Sequence, residues 1–274
     1  MRNRVLTVLG LTVIGLPAII YGGVFYYLLM GTFLVGGAWE YVKLFRAVHH
    51  EPNEIVTVGG VLVIATARFF FPQAALPLFV ILILLAMALH LIAFERGRNE
   101  AALDFGIAVT GLVYLGWIGS YLLDLRQLPQ GLWWWLLVLP IVWAGDTGAY
   151  SIGAVYGRHK MTPRLSPKKS WEGYFAGLFT SVLIGAFFSY AFSSFSWGPQ
   201  PLGGLIDPVQ GGMLGLFIGA IAPLGDLGES MLKRQSGLKD SSNIFPGHGG
   251  FLDRIDSWIW GASIGYFIIY FFIL

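Results

Sequence analysis

Residues 225–257 read GDLGESMLKRQSGLKDSSNIFPGHGGFLDRIDS, and they concentrate nine charged side chains in a chain that is otherwise strongly apolar. This stretch lies between two runs of 18 residues, 208–225 and 257–274, neither of which contains a charged side chain. Ionisable groups inside a membrane cost roughly 2.5–3.5 kcal/mol at a helix centre and less near its ends. The pattern therefore favours a functional site over a charged loop that only orients two membrane helices.

Helical spacing places the polar side chains of this stretch on shared faces, because residues three and four apart lie on one side of a helix. One face collects five side chains: Asp226, Glu229, Ser230, Lys233 and Arg234. Asp253 and Asp256 share a second face if a helix begins near Leu252. Carboxylates from two helix ends suit Mg²⁺, which usually takes one or two of them together with substrate phosphates. The intervening cations suit those phosphates.

Three motifs in this stretch consist largely of polar residues and glycines. They are Ser230-x-Leu232-Lys233-Arg234, Lys239-Asp240 and Pro246-x-His248-Gly249-Gly250-Phe251-x-Asp253-Arg254-Ile255-Asp256. Together they resemble the signature of the phosphatidate cytidylyltransferases (CDP-diacylglycerol synthases), without departure over 27 positions. A second segment, Ser166-Pro167-Lys168-Lys169-Ser170-Trp171-Glu172-Gly173, resembles another part of the same family. We expect the likeness to extend over the whole chain.

The resemblance implies a reaction and its partners. A cytidylyl group would be transferred from CTP to phosphatidate, giving CDP-diacylglycerol and pyrophosphate, with Mg²⁺ as cofactor. The phosphate of phosphatidate lies at the headgroup plane among membrane lipids, whereas CTP arrives from the cytosol. The site must therefore open both to lipid and to water. The family resemblance also implies a homodimer.

Specific residues are expected to carry these roles. We expect one or two cations to be held by four acids: Asp226, Asp253, Asp256 and Asp146. We expect six side chains to bind the substrate phosphates: Lys168, Lys169, Lys233, Arg234, Arg254 and Ser230. The predicted catalytic set contains five residues: Asp226, Asp253, Asp256, His248 and Lys239. Because a dianionic phosphate monoester is already a competent nucleophile, no general base is required, and His248 is expected to shape the loop or to donate to a phosphate.

Two of these assignments leave an alternative open. Asp146 lies in WAGDTGAYSIG, about two turns before the end of an apolar segment. An acid at that depth needs a metal, a partner or a structural hydrogen bond. Lys168 and Lys169 follow three other cations in the segment 157–173, and the alternative role of such a segment is binding of anionic lipid headgroups.

The composition indicates a membrane protein. Of the 274 residues, 56% are hydrophobic and only 12% are charged, whereas about 25% are charged in soluble domains. A net charge of +2 gives no support for binding nucleic acid, and the absence of cysteine excludes disulfides and thiolate metal sites. Arg2 and Arg4 precede an apolar run without a convincing cleavage site, so we predict a retained helix rather than a signal peptide.

We predict an all-α, polytopic integral membrane protein with about nine transmembrane helices. Residues 5–39 are too long for one span of about 20 residues and are expected to break at Tyr21-Gly22-Gly23. The seven further spans are 55–71, 74–94, 105–123, 132–152, 173–192, 211–231 and 257–274. Glycines at 211, 212, 215 and 219 indicate close helix packing rather than nucleotide binding. We predict a single domain over 1–274, with scaffold helices in 1–125 and a catalytic half in 132–274.

The distribution of cations predicts the orientation. With nine spans, 15 of the 17 Lys and Arg residues lie on one side of the membrane, and only Arg68 and Arg126 lie on the other. Cytoplasmic loops carry the excess of Lys and Arg. We therefore predict a cytoplasmic N-terminus, a C-terminus outside, and a multi-pass protein of the inner (cytoplasmic) membrane whose active site faces the cytoplasm.

Two other functions compete with this interpretation. A CDP-alcohol phosphotransferase is also a membrane protein with clustered Asp residues, but the Asp-Gly…Ala-Arg element of that family is absent. A cation transporter could use Asp146 and Asp226 as ligands near the midplane. It predicts acids near the bilayer centre in both halves, whereas these acids crowd the predicted cytoplasmic end. No Walker A or dinucleotide fingerprint is present.

Overall fold

The structure is a computed structural model that describes residues 2–194, 206–238, 240–242, 244–245 and 249–274. Its helices are α1 (Arg2–Tyr21), α2 (Gly23–Arg46), α3 (Glu54–Phe70), α4 (Pro72–Glu95), α5 (Ala101–Gly111), α6 (Tyr121–Gln127), α7 (Gly131–Tyr156), α8 (Trp171–Ser194), α9 (Pro208–Ile221), α10 (Pro223–Gln235) and α11 (Leu252–Phe272). A π-helical segment, Leu112–Ile118, follows α5. Strands β1 (Lys160–Thr162) and β2 (Ser166–Ser170) lie between α7 and α8.

Glycine and proline set several of these boundaries. Gly22, with φ of 68°, separates α1 from α2 at the predicted break. Glycine adopts this backbone conformation without steric cost. Pro208 opens α9 next to a capping box formed by Asp207 and Gln210. Pro223 opens α10 and lacks the N–H that would continue α9, so the predicted span 211–231 consists of two helices.

Within the described residues, six segments are long and apolar enough to cross a membrane. They are Pro72–Glu95, Ala101–Gln127, Gly131–Tyr156, Trp171–Phe192, Pro208–Gln235 and Leu252–Phe272. A shorter apolar helix covers Thr12–Tyr21. These helices support a helical, multi-pass membrane protein, as predicted. The count of nine spans and the orientation of the termini stay predictions.

The chain forms two compact units. Unit 1 combines Met1–Asp124 with Leu232–Ile255, and unit 2 combines Leu125–Met231 with Asp256–Leu274. Residues 225–257 therefore contribute to both units. The proposed division into scaffold helices (1–125) and a catalytic half (132–274) stays a prediction.

Unit 1 has an apolar core around α3. Its buried members are Val56, Ile64, Leu82, Ala86 and Leu112. Arg68, the charge that interrupts the predicted third span, forms an ion pair with Asp124. Its guanidinium also lies over the rings of Trp117, at 4.6 Å, and Tyr121, at 4.4 Å. The charge of Arg68 is thus compensated within unit 1.

Unit 2 depends on close backbone approach between α8 and α9. A Cβ atom added at Gly215 would lie 2.8 Å from the backbone carbon of Ser181, and one at Gly185 would overlap the backbone oxygen of Gly211. Real Cβ atoms essentially never come that close to backbone atoms. These contacts agree with the packing role predicted for the glycines of 211–219, because small residues allow membrane helices to approach each other.

Candidate active site

The segment between α7 and α8, which the sequence suggested was a cationic loop, forms an antiparallel hairpin. Lys160 of β1 pairs with Ser170 of β2. Successive side chains on a strand point to opposite faces. Lys168 is accordingly exposed, whereas Lys169 is partly buried. The hairpin therefore gives different surroundings to the two lysines that the sequence grouped together.

Hydrogen bonds anchor this hairpin to the start of α8. The buried Ser170 hydroxyl accepts from the backbone N–H of Gly173 at 3.2 Å, which satisfies one of the free N–H groups in the first helical turn. The backbone N–H of Trp171 donates to the carbonyl of His159 at 2.9 Å. Nδ1 of His159 lies 2.6 Å from Oε1 of Glu172. These contacts hold the end of β2, which includes Lys169, against the start of α8.

Lys169 meets the first acid of the candidate site. Its Nζ lies 2.7 Å from Oδ2 of Asp226, which is in the first turn of α10. A carboxylate in the first turn is also stabilised by the helix dipole. Ser230, one turn further along α10, approaches Oδ1 of Asp226 at 3.4 Å. Asp226 thus has a cation on one oxygen and a hydroxyl near the other.

Gly225 brings α10 close to α11. A Cβ atom at this position would lie 2.7 Å from the backbone carbonyl carbon of Asp256 and 2.7 Å from the indole of Trp260. Any larger residue would push the two helices apart. Asp226, the next residue, is therefore held near the side of α11 that carries Asp256.

The acids that converge here are Asp226, Glu229 and Asp256. Each offers a carboxylate oxygen, and the three oxygens lie within 4.8 Å of one another. Glu229 is only 4% exposed, and its carboxyl group lies beside that of Asp256. Three negative charges this close repel one another, so the cluster requires a bound cation or shared protons. The i, i+3 spacing of Asp226 and Glu229 was visible in the sequence, yet Glu229 was left out of the predicted site.

Asp146 on α7 belongs to the same electrostatic environment. It interacts with the charges of Asp226, Asp256 and Lys169. Its side chain is exposed at the surface of unit 2, whereas Glu229 is buried. The structure thus brings Asp146, Asp226 and Asp256 together, with Lys169 and Glu229, in unit 2.

This donor set fits a divalent cation. Carboxylate oxygens are the ligands that Mg²⁺ prefers in proteins, and it commonly completes its coordination with water and substrate phosphates. Glu229 is buried, whereas Asp226 and Asp256 are partly exposed. The three acids therefore form a group that fits a divalent cation.

Asp253, another predicted metal ligand, makes a different set of contacts in unit 1. Its Oδ1 lies 2.6 Å from Nζ of Lys233. Its Oδ2 accepts from the backbone N–H of Gly250 at 2.8 Å and lies 2.6 Å from the hydroxyl oxygen of Ser241. Asp253 therefore ties Lys233 to the start of α11. Its assignment as a metal ligand stays a prediction.

The remaining predicted phosphate-binding and catalytic residues are Arg234, Arg254, Lys239 and His248. Arg234 is exposed at the end of α10, and Arg254 is partly buried in the first turn of α11. Lys239 and His248 lie outside the described residues, so their predicted catalytic roles stay predictions.

Comparison with known proteins identifies the family. A model of the cytidylyltransferase family matches residues 2–272. The chain is similar to a phosphatidate cytidylyltransferase of Pseudomonas aeruginosa, with 36% identity over 265 residues, which cover 94% of this chain and 92% of the relative. A phosphatidate cytidylyltransferase of Staphylococcus aureus is 30% identical over 265 residues, or 94% of this chain and 95% of that protein. The match over almost the full length shows that the chain belongs to the cytidylyltransferase family.

Proposed function

We propose that this protein transfers a cytidylyl group from CTP to phosphatidate, giving CDP-diacylglycerol and pyrophosphate. The observation that carries the proposal is the acid cluster Asp226–Glu229–Asp256 with Lys169 against it, in a chain of the cytidylyltransferase family. The names of the relatives, phosphatidate cytidylyltransferases, give the acceptor and the group that is transferred, and we propose CTP as its donor. The structure supplies a group of oxygen ligands and cations suited to phosphate chemistry.

The reaction is an in-line substitution at phosphorus. An oxygen of the phosphatidate phosphate forms a bond to the α-phosphorus of CTP, and the bond from that phosphorus to the bridging oxygen of pyrophosphate breaks. Pyrophosphate leaves with the bonding electron pair. No proton needs to be removed from the nucleophile when the phosphate monoester is dianionic, so the site needs charge compensation and positioning more than a general base.

We assign the divalent ion to Asp226, Glu229 and Asp256, with Asp146 as a nearby acid. Bound Mg²⁺ would supply charge neutralisation on the phosphates of CTP. Lys169, already paired with Asp226, would compensate charge on the same phosphates. Asp226 holds this lysine in place beside Glu229 and Asp256.

The other cations would bind and orient the anionic substrates. Lys233, held by Asp253, is a candidate for a phosphate contact because its ammonium is already fixed in direction. Arg234, Arg254, Lys168 and Ser230 keep their predicted roles in phosphate binding, and Lys239 and His248 theirs in catalysis. We keep Asp253 as a proposed metal ligand. The alternative is that Asp253 only positions Lys233 through their ion pair.

We place the site at the cytoplasmic face of the inner membrane and expect a homodimer. The excess of Lys and Arg in the predicted cytoplasmic loops supports the orientation. Cysteine-accessibility labelling of sealed vesicles tests it. A cysteine introduced at exposed Lys168 should react with a membrane-impermeant maleimide only when the cytoplasmic side is accessible. Reaction from the outer side alone would contradict the orientation.

The activity is tested with purified protein in detergent micelles that contain phosphatidate, with Mg²⁺ and CTP labelled at the α-phosphate. We expect the label to move into the lipid fraction together with the release of one pyrophosphate per lipid product. Replacement of phosphatidate by diacylglycerol should stop transfer, because the nucleophilic phosphate is then missing. Absence of label transfer from folded protein under these conditions would contradict the proposed function, and ion flux in sealed vesicles without CTP would favour a transporter.

A further inference from the structure

Glu40, near the end of α2, is an acid that the sequence gave no reason to select. Its side chain is fully buried within unit 1, with 0% of its surface exposed. A buried carboxylate costs much free energy unless donors surround it, and glutamate is almost never fully buried without them. The hydrogen bonds of Glu40 therefore explain how a carboxylate is accommodated at this buried position.

Among the described residues, four donors reach the Glu40 carboxylate. The backbone N–H groups of Phe251 and Leu252 donate at 2.9 and 2.8 Å. The hydroxyl of Ser241 donates at 2.8 Å, and that of Ser242 also hydrogen-bonds to the carboxylate. All four belong to the segment 241–252, about 200 positions further along the chain. Glu40 is thus the point at which α2 holds the two serines and the start of α11.

Two of these donors lie at the N-terminus of α11. The first N–H groups of a helix have no partner inside it, and a side chain from the residue before the helix usually satisfies one of them. Phe251 occupies that position and has no side-chain acceptor. Glu40 provides the missing acceptor from another helix, and its negative charge is favourable at the positive end of α11.

Ser241 connects Glu40 to Asp253. Its Oγ lies 2.8 Å from Oε2 of Glu40 and 2.6 Å from Oδ2 of Asp253. The backbone N–H of Ser241 also donates to Asp253, at 3.2 Å. Asp253 in turn holds Nζ of Lys233 at 2.6 Å. A continuous series of contacts therefore runs from Glu40 through Ser241 and Asp253 to Lys233.

The two glycines before α11 fit around these acids. Gly249 has φ of 77°, and a Cβ atom there would lie 2.8 Å from Cγ of Asp253. A Cβ atom at Gly250 would fall on the carboxylate of Glu40. Residues larger than glycine would therefore separate the segment from Glu40 and Asp253. The Gly249-Gly250 pair in the signature is explained by these close contacts.

An aromatic cluster supports the same arrangement. Phe33 of α2 packs against Phe245 and Phe251, with ring centroids 6.0 and 5.5 Å apart. Phe245 and Phe251 are themselves 5.0 Å apart. Phe251 also covers Gly36, where a Cβ atom would lie 2.6 Å from Cγ of the ring. Since the rings already hold Phe245 and Phe251 on α2, loss of one polar contact should disturb the alignment of these residues without releasing them.

We propose that Glu40 is a positioning residue for cytidylyl transfer, acting through Ser241 on Asp253 and Lys233. This inference rests on the proposed function. Glu40 does not touch substrate, because it is fully buried and its carboxylate is occupied by the segment 241–252. Its role is to set the direction of Asp253 and of the Lys233 ammonium.

The test uses Glu40→Gln, which keeps the size of the side chain but turns one carboxylate oxygen into an NH₂ group. Both oxygens of Glu40 accept hydrogen bonds in the wild-type protein. The new NH₂ group would therefore face hydrogen-bond donors and lose at least one of these bonds. We expect kcat/KM for CTP to fall about 10- to 100-fold, the range typical of residues that orient direct ligands. Ser241→Ala should cause a smaller loss, and the double variant should be no worse than Glu40→Gln alone, because both changes break one series of contacts.

Asp104→Asn provides the matched control. Asp104 is a buried acid of unit 1 that bonds to Arg98 and to the backbone of Glu51 rather than to the segment 241–252. The Asp104→Asn variant should have a lower thermal stability and a nearly unchanged kcat/KM. The positioning role is wrong if Glu40→Gln and Asp104→Asn lower thermal stability by similar amounts and neither changes kcat/KM. It is also wrong if the losses in kcat/KM caused by Glu40→Gln and Ser241→Ala multiply in the double variant. Should Glu40→Gln fail to fold, an unchanged kcat/KM in Ser241→Ala would overturn it.

The wild-type protein distinguishes this inference from the proposed function. If wild-type protein transfers no label from CTP to phosphatidate, the proposed function fails. If wild-type protein is active and Glu40→Gln is equally active, only the inference about Glu40 fails.

Discussion

The ammonium of Lys169 lies 2.7 Å from a carboxylate oxygen of Asp226, and this pair joins the β-hairpin to the acid cluster of unit 2. A lysine beside three converging acids compensates part of their charge. It can also bind a phosphate that enters the cluster. This contact therefore links the cationic hairpin to the proposed chemistry.

Lys169→Met is expected to lower kcat/KM by about 100-fold, because it removes a cation from the site where phosphate charge must be compensated. Lys168→Met should lower kcat/KM by a smaller factor, since Lys168 is exposed on the other face of β2. Lys160→Met serves as the control, because it removes an exposed lysine from the same hairpin. Equal losses in all three variants would show that the hairpin acts only through its total charge.

Gly225→Ala is expected to reduce both stability and activity. The added methyl group would meet the backbone of Asp256, and overpacking of this kind typically costs about 1–3 kcal/mol. Gly228→Ala is the matched control on the same helix, because a Cβ atom there meets nothing within 4 Å. It should be neutral or stabilising by up to about 1 kcal/mol. Thermal unfolding in detergent and label transfer measure the two effects, and indistinguishable variants would contradict the close approach of α10 and α11.

Asp253→Asn is expected to abolish pyrophosphate release while the protein stays folded. The change removes the charge that pairs with Lys233 and that was predicted to bind metal. The Mg²⁺ dependence of any residual activity separates the two roles. A higher Mg²⁺ requirement supports the metal-ligand role, whereas an unchanged requirement with a raised KM for CTP supports the positioning of Lys233. Near-normal activity of the Asp253→Asn variant would contradict both the metal-ligand role and the positioning role.

Asp256→Asn is expected to raise the Mg²⁺ concentration for half-maximal activity about 10- to 100-fold. Glu229→Gln should act in the same direction, because the two acids share the cluster with Asp226. Titration of label transfer with Mg²⁺ measures the shift. If both variants lose activity at every Mg²⁺ concentration without a shift, the cluster has a structural role rather than a role in metal binding.

Much of the helical architecture follows from local features of the sequence. Long apolar segments and the break at Tyr21-Gly22-Gly23 predicted helices close to those observed, because glycine and charge leave clear marks in an apolar chain. The start of α10 at Pro223 was harder to predict, since the apolar pattern continues across it. The hairpin was missed because its strands have only three and five residues and carry no alternating apolar pattern.

The candidate site was predictable where spacing along a helix carries the information. Asp226 and Asp256 were selected from charge beside apolar segments, and the same reasoning about spacing could have added Glu229. Glu40 could not be selected in this way. Its donors lie about 200 residues away, so only the tertiary structure reveals why an acid is buried there. Likewise, the different surroundings of Lys168 and Lys169 depend on strand pairing that the sequence did not suggest.

The most direct test of the central claim is binding of Mn²⁺, a spectroscopic substitute for Mg²⁺, to the purified protein in the presence of CTP, measured by electron paramagnetic resonance. We predict that the wild-type protein binds Mn²⁺, that Asp226→Asn and Asp256→Asn each weaken this binding at least about 10-fold, and that Asp104→Asn leaves it unchanged. Equal Mn²⁺ binding by wild-type protein and both cluster variants would contradict the claim that Asp226, Glu229 and Asp256 hold the catalytic cation.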